Sequence, residues 1–196
     1  MRFSAFVICK RFKLNGSERN LAALCAKGDT QAQKELYLRY AARLHAVCRR
    51  YAGDADDAAD LLQDAFLKAF DKIAGFRFSG EGSLYAWLRR LTVNLALDRI
   101  RKKRLVRIPL QELPESDLPD PPDDAVETIP METMLEMISS LPPERRAVFN
   151  LYCLEGWSHR EIAGALGITE KGSAAILHKA RTQIKQKIHQ YLTAQV

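Results

Sequence analysis

Asp56-Asp57-Ala58-Ala59-Asp60 is the stretch of this chain whose spacing most resembles a catalytic constellation. Carboxylates three residues apart share one face of a helix and can hold magnesium and a diphosphate between them, and Asp64 lies a further turn along. Prenyl-transferring chemistry of that kind needs a second acidic motif, and the sequence has none. Carboxylates in a first helical turn also favour the macrodipole with no further role. Nothing else in the chain offers catalysis. His45, His159, His178 and His189 lack metal-ligand spacing, and there is neither a glycine-rich phosphate loop nor a serine elbow. These residues describe a protein that is not an enzyme and calls for no cofactor and no metal. Cys9, Cys25, Cys48 and Cys153 are scattered without a C-x-x-C pair, as expected of reduced, mostly buried thiols in a cytoplasmic protein.

The charge distribution points to a different chemistry. The net +6 over 196 residues, with 47% apolar and 28% charged side chains, fits a folded soluble chain. No apolar run approaches the ~20 residues that cross a bilayer. The short run Phe3 to Cys9 lacks a small-residue cleavage site, so no secretory signal is expected. By segment the modest total separates sharply. Residues 1–76 carry a net +4, and residues 77–107 a net +7 from nine basic and two acidic side chains. Residues 108–144 carry ten acidic side chains and no basic one, and residues 145–196 return to +5. Two basic blocks around an acidic one suggest polyanion binding with an internal counter-surface, the plainer alternative being solvated faces.

Six of the eight prolines fall between Pro109 and Pro130, inside the acidic block, where no sustained apolar periodicity exists. Proline fixes φ and removes a backbone donor, so residues 109–130 read as an extended linker. On either side the period is helical. Ala32, Leu36, Tyr40, Leu44, Val47, Cys48 and Tyr51 make one stripe, with Asp29 placed to cap it. Ala58, Leu61, Leu62, Ala65, Phe66, Ala69, Phe70 and Ile73 make a second, behind Asp54. A third helix is expected from about Ser83 to Lys103, with Leu84, Trp87, Leu88, Leu91, Leu95 and Ile100 inward. After the linker, Leu141-Pro142-Pro143-Glu144 starts a helix expected to reach Leu154. Ser158-His159-Arg160-Glu161 fits a capping box, Gly167-Ile168-Thr169 a tight turn, and a long final helix follows. Short helix, glycine turn and longer helix form the helix-turn-helix signature, for which an ordinary helical hairpin is the alternative. The expected fold is all-α: two small helical domains, 21–108 and 131–196, joined by an acidic Pro-rich linker, the second containing the helix-turn-helix.

The segments 57–66, 76–103 and 141–168 resemble, in order, three parts of the bacterial sigma-70 family of RNA polymerase sigma factors. Asp57-Ala58-Ala59-Asp60-Leu61-Leu62-Gln63-Asp64-Ala65-Phe66 is similar to its core-polymerase-binding helix, with Ala59 where a glutamate is usual. Phe76 to Arg90 and Asn94 to Lys103 resemble the part that reads and melts the minus-ten element. Leu141-Pro142-Pro143 and Glu155-Gly156-Trp157-Ser158 through Ile168 resemble the domain that reads the minus-thirty-five element. The two-domain build is that of the extracytoplasmic-function subfamily. The match runs from about Leu21 to Ile188, leaving residues 1–20 as an N-terminal extension, either a tail or an over-long start.

The resemblance implies a sigma factor that binds core RNA polymerase and directs promoter recognition and melting. It also implies an anti-sigma partner. Asp57, Asp60, Gln63, Asp64 and Phe66 would meet the polymerase. Tyr85, Trp87, Arg89, Arg90, Asn94, Arg99, Arg101, Lys102, Lys103 and Arg104 would meet the minus-ten DNA. Of the two aromatics, Tyr85 is the expected surface ring, and Trp87 is divided evenly between core and surface. Arg160, Lys171, Ser173, His178, Lys179 and Arg181 would meet the minus-thirty-five element. There the chain departs from the family: Ala174, Ala175 and Ile176 stand where cations or polar readers are usual. Such side chains meet a base edge only through a thymine methyl, which predicts a weak or A/T-leaning readout. The linker is either a plain tether or a strand that enters a basic polymerase channel. A standalone helix-turn-helix regulator is the alternative function, and co-purification with core polymerase separates the two.

Overall fold

The computed structural model describes residues 17–104, Pro119 and residues 121–194, and the side chains of all of these but Lys103, Arg104 and Asp123. Most of the expected extension, Cys9 and half of the linker, including Asp117 and Asp120, lie outside the described residues. Among the described residues there is no strand, and no helix is long and apolar enough to cross a membrane.

The first domain is built from α1 (Glu18–Ala26), α2 (Thr30–Tyr51), α3 (Ala55–Lys72) and α4 (Ser83–Arg104), with a 3-10 turn Ile73–Gly75 after α3. Local chemistry sets the boundaries. Asp29 Oδ1 accepts the Ala32 amide at 2.8 Å, and Asp54 Oδ1 accepts the Asp57 amide at 2.7 Å, so each carboxylate satisfies an amide that the helix cannot. The turn into α2 uses Gly28 at φ 80°, where a Cβ would be strained. The buried faces of α2 and α3 follow the two stripes expected of them. Helix α1 starts at Glu18, inside the stretch expected to be an extension, and buries Leu21, Ala22 and Cys25 against this domain.

Helix α4 departs from a single stripe. Leu84, Leu88, Leu91 and Ile100 are buried as expected, but so are Thr92, Val93, Ala96 and Leu97, while Trp87 and Leu95 are only half-buried. Helices α2 and α3 both lie along α4, and the second domain also packs against α4 and α2. That domain comprises α6 (Met131–Ser139), α7 (Pro143–Phe149), α8 (His159–Leu166) and α9 (Glu170–Thr193). Before it, Asp123–Glu127 forms a short helix, α5, within the stretch expected to be extended. Helix α7 does not stay regular to Leu154; residues Asn150–Leu154 widen into a π turn closed by Gly156 at φ 71°.

One apolar core therefore runs through both domains. Ala147, Val148, Leu151, Ile162, Leu166 and Leu177 join the residues of α1 to α4, and a smaller cluster ties α6 to α9 through Met137, Ile138, Ala180, Ile184 and Ile188. The seam also carries charge. The Glu155 side chain is only 6% exposed, with Oε2 2.6 Å from Arg89 and Oε1 3.4 Å from Arg50. Asn150 Nδ2 donates to the Arg50 carbonyl at 2.5 Å. Burial depresses the pKa of the Arg146 guanidinium, and the first domain's Asp57 and Asp54 oppose that effect across the seam.

Glu155→Ala removes the carboxylate and leaves two arginines facing one another. Because both arginines are partly exposed, we expect a loss of about 1–2 kcal/mol rather than the larger penalty of a fully buried pair. A lower urea midpoint and a larger radius of gyration in solution scattering check this.

Candidate functional site

The exposed face of α3 presents Asp60, Gln63 and Asp64, with Leu67 one turn on at 61% exposure. Asp57 is half-buried in the first turn. Phe66, expected at a docking surface, is instead core: it is 4% exposed, its ring 4.7 Å from Tyr37 and 6.0 Å from Phe70. The large apolar side chains of the first domain that reach solvent are Leu24, Tyr37, Leu38 and Leu67, with Tyr37 45% exposed. Leu67 was legible as the leucine lying off the apolar stripe of its helix. Asp64 is engaged within the chain, its Oδ2 2.5 Å from Arg99, so one residue expected to meet polymerase holds one expected to meet DNA. Both ends of this pair are partly exposed, which makes it weak and exchangeable.

Between α3 and α4 lies a cleft of about 720 Å³. Helix α4 contributes Trp87, Arg90, Asn94 and Arg101, recurring at near-helical spacing on one face. From the other wall α3 contributes Lys68 and Lys72, and Ala165 of α8 reaches the lining. The two lysines were not expected from sequence, where they read as ordinary cations of a solvated face; the crossing of the helices brings them opposite Arg90 and Asn94. Both aromatic rings of α4 are half-buried against the core. Trp87 lines the cleft with its ring 5.5 Å from Phe76. Tyr85 turns towards α2, stacked on Tyr40 at 6.1 Å, with the Arg43 guanidinium 3.6 Å from its ring centroid.

Several expected cations are already engaged. Arg89 holds Glu155, Arg99 holds Asp64, and Arg101 pairs with Asp98 on its own helix. Arg90 and Lys102 are exposed, and the Lys103 and Arg104 side chains lie outside the described residues.

In the second domain Ser158 Oγ accepts the Glu161 amide at 3.3 Å while Glu161 accepts the Ser158 amide at 2.8 Å, completing the capping box. The Ser158 amide and hydroxyl, each donating to Glu161 Oε2 at 2.8 Å, hold the Glu161 carboxyl below its ordinary pKa. Gly167 at φ 65° ends α8, and Thr169 caps α9 through the Gly172 amide. The exposed front of α9 carries Lys171, Ala174, Ala175, His178, Lys179 and Arg181, and Arg160 is exposed on α8. Ser173 is a correction. It is fully buried, its Oγ 3.0 Å from His159 Nδ1, so its hydroxyl joins the two helices and does not face outward. Tyr152 is an exposed aromatic that sequence reasoning passed over. Its ring stacks on His159 at 4.7 Å, and the Arg181 guanidinium lies 5.6 Å above it.

The cysteines divide as well. Burial pushes the Cys25 thiol up to about 11 and Cys48 to about 12, whereas Cys153 is exposed. Near the end of the linker, His189 Nε2 lies 2.9 Å from the Pro119 carbonyl oxygen, and Pro121 borders a groove with Phe149, Arg181 and Ile188.

Comparison with known proteins adds the following. The family description "Sigma-70 region 2" matches residues 36–106, and "Sigma-70, region 4" matches residues 131–184. The chain is 32% identical over 185 residues to the ECF RNA polymerase sigma factor SigE of Mycolicibacterium smegmatis, covering 89% of this chain and 70% of that one. It is 30% identical over 171 residues to the ECF RNA polymerase sigma factor SigM of Mycobacterium tuberculosis, covering 86% and 83%. Among solved structures, one similar chain is the sigma factor RpoE of Bartonella quintana in complex with the anti-sigma factor NepR, at 20% identity and a TM-score of 0.48, covering 80% of this chain and 96% of that one.

Ser173→Ala removes the hydroxyl that meets His159 inside the fold. It should lower unfolding stability by about 1 kcal/mol and leave DNA affinity unchanged. A parallel urea titration and DNA-binding assay checks both; lost DNA affinity with an unchanged midpoint would mean that Ser173 reads DNA.

Proposed function

We propose, because the chain belongs to the extracytoplasmic-function sigma factors of RNA polymerase, that its first domain carries two separate working faces. As a sigma factor it binds core RNA polymerase and directs promoter recognition and melting. The solvent face of α3, with Asp60, Gln63, Asp64 and Leu67, is the face for the polymerase. Its carboxylates suit basic partners, and Leu67 supplies an apolar anchor among them. The α3–α4 cleft takes the melted non-template strand of the minus-ten element.

The observation that most supports this reading is the composition of the cleft. One aromatic ring, one carboxamide, cations from both walls and the Asp98 carboxylate paired with Arg101 surround a space of about 720 Å³. Unstacked bases recover their lost stacking on an aromatic face, and a carboxamide can read a base edge with a donor and an acceptor together. Cations along both walls neutralise the phosphates between those bases. Trp87 is the stacking surface, Asn94 the edge reader, and Lys68, Lys72, Arg90 and Arg101 the phosphate partners. On α9 the exposed Ala174 and Ala175 leave apolar contact as the base-reading mode, with Lys171, Lys179 and Arg181 positioning the backbone.

Each phosphate contact on a single strand contributes about 0.7 to the slope of log affinity against log salt. In the holoenzyme, Lys68→Ala with Lys72→Ala should therefore flatten that slope by about 1.4 for a single-stranded minus-ten oligonucleotide. An unchanged slope across a salt titration would remove α3 from the DNA site.

A further inference from the structure

Glu18 lies ahead of the residues that the region 2 family description matches, on a helix whose start falls within the expected extension. Its side chain is nonetheless buried at 6% exposure, and no ion pair is made to it among the described residues. Both oxygens are used. Oε1 accepts the Tyr40 hydroxyl at 2.7 Å, and Oε2 accepts the backbone amide of Leu84 at 3.0 Å. One carboxylate thus ties α1 to the middle of α2 and to the first turn of α4, 66 positions away in sequence.

That first turn needs an outside partner. It follows Gly80 at φ 129° and Gly82 at φ 89°, a loop whose backbone has wide freedom. The opening amides of a helix have no acceptor within it, and a negative group there also complements the macrodipole. Glu18 supplies both from another helix. A buried carboxylate is an expensive way to join helices, since an apolar side chain of similar size avoids the desolvation. What it adds is direction: a hydrogen bond fixes where the amide of Leu84 points, and Trp87 follows three residues later.

We infer that Glu18 is a positioning residue of the minus-ten site: its carboxylate fixes the first turn of α4 so that Trp87 faces the cleft. The inference rests on the reading of that cleft as the minus-ten site. Tyr40 is the second half of the device, for it holds Glu18 Oε1 and backs the ring of Tyr85.

The test uses reconstituted holoenzyme carrying Glu18→Leu, Glu18→Gln or Tyr40→Phe, with Trp87→Ala as a reference. The readout is minus-ten discrimination, the ratio of opening rates on the preferred promoter and on one with a single minus-ten base changed, with core affinity measured alongside. Losing a first-turn acceptor is expected to reduce the ratio about fivefold for Glu18→Leu. Glu18→Gln keeps an acceptor for Leu84 and should retain most of the ratio, Tyr40→Phe should fall between the two, and core affinity should be unchanged in all three. Glu18→Leu with an unaltered ratio, or a loss in step with core affinity in all three variants, overturns the inference. If Trp87→Ala itself leaves the ratio unaltered, the minus-ten reading fails and the inference with it. If Trp87→Ala abolishes discrimination and Glu18→Leu does not, the positioning role alone fails.

Discussion

The Glu155 carboxylate, 2.6 Å from Arg89 and 3.4 Å from Arg50, closes a seam of mixed apolar and polar contacts, and the placement of the second domain depends on that seam. Leu151, Ile162 and Leu166 of the second domain share a core with Leu84, Leu88 and Leu97 of α4. Helix α4 is consequently buried on two sides. What it can offer a nucleic acid is confined to the strip that remains, where Trp87, Arg90, Asn94 and Arg101 recur. Polar atoms are also buried along the seam. Arg50 Nε, the Tyr51 hydroxyl and Asn150 Oδ1 are buried at it without a partner among the described residues. Each such group carries a desolvation cost that the apolar contacts of the shared core must offset.

Charge within the fold is paired more thoroughly than the net +6 conveys. Among the described residues Glu35, Asp64, Asp98 and Glu155 each hold an arginine, and the last three hold arginines expected to meet DNA. The Asp64 and Asp98 pairs are exposed, so each is worth little in water and exchanges readily for a phosphate, whereas the Glu155 carboxylate is buried. Binding of a polyanion therefore replaces internal pairs as well as neutralising idle cations. The lysines of α3 stand across the cleft from α4, which is how a cleft can be basic although the helix bearing one wall is predominantly acidic along its exposed face.

Much of this was legible from residue order alone. The stripes of α2 and α3, the caps at Asp29 and Asp54, the capping box at Ser158 and Glu161, and the left-handed Gly167 all follow from local chemistry, and local chemistry is what a single sequence records. The misreadings share one cause: periodicity tells which face is apolar but not what will cover it. Phe66 is the exception: its place on the apolar stripe already marked it as core, and only the resemblance put it at the polymerase. Tyr85 and Trp87 lie two positions apart on α4, and only the placement of α2 on one side and α3 on the other decides which ring reaches the cleft. Ser173 stands beside exposed Ala174, and its inward turn depends on His159 fourteen residues earlier. The packing of the two domains left no local signal, because Asn150 and Glu155 look like ordinary polar residues until Arg50 and Arg89 are brought to them.

The central claim is that the α3–α4 cleft captures the melted strand through Trp87 while polymerase is held elsewhere. The most direct measurement is permanganate reactivity of minus-ten thymines on a duplex promoter, with holoenzyme carrying Trp87→Ala and with core affinity determined on the same preparation. The account predicts that core affinity is preserved and that the reactive thymines are lost. Undiminished thymine reactivity in that variant would contradict it.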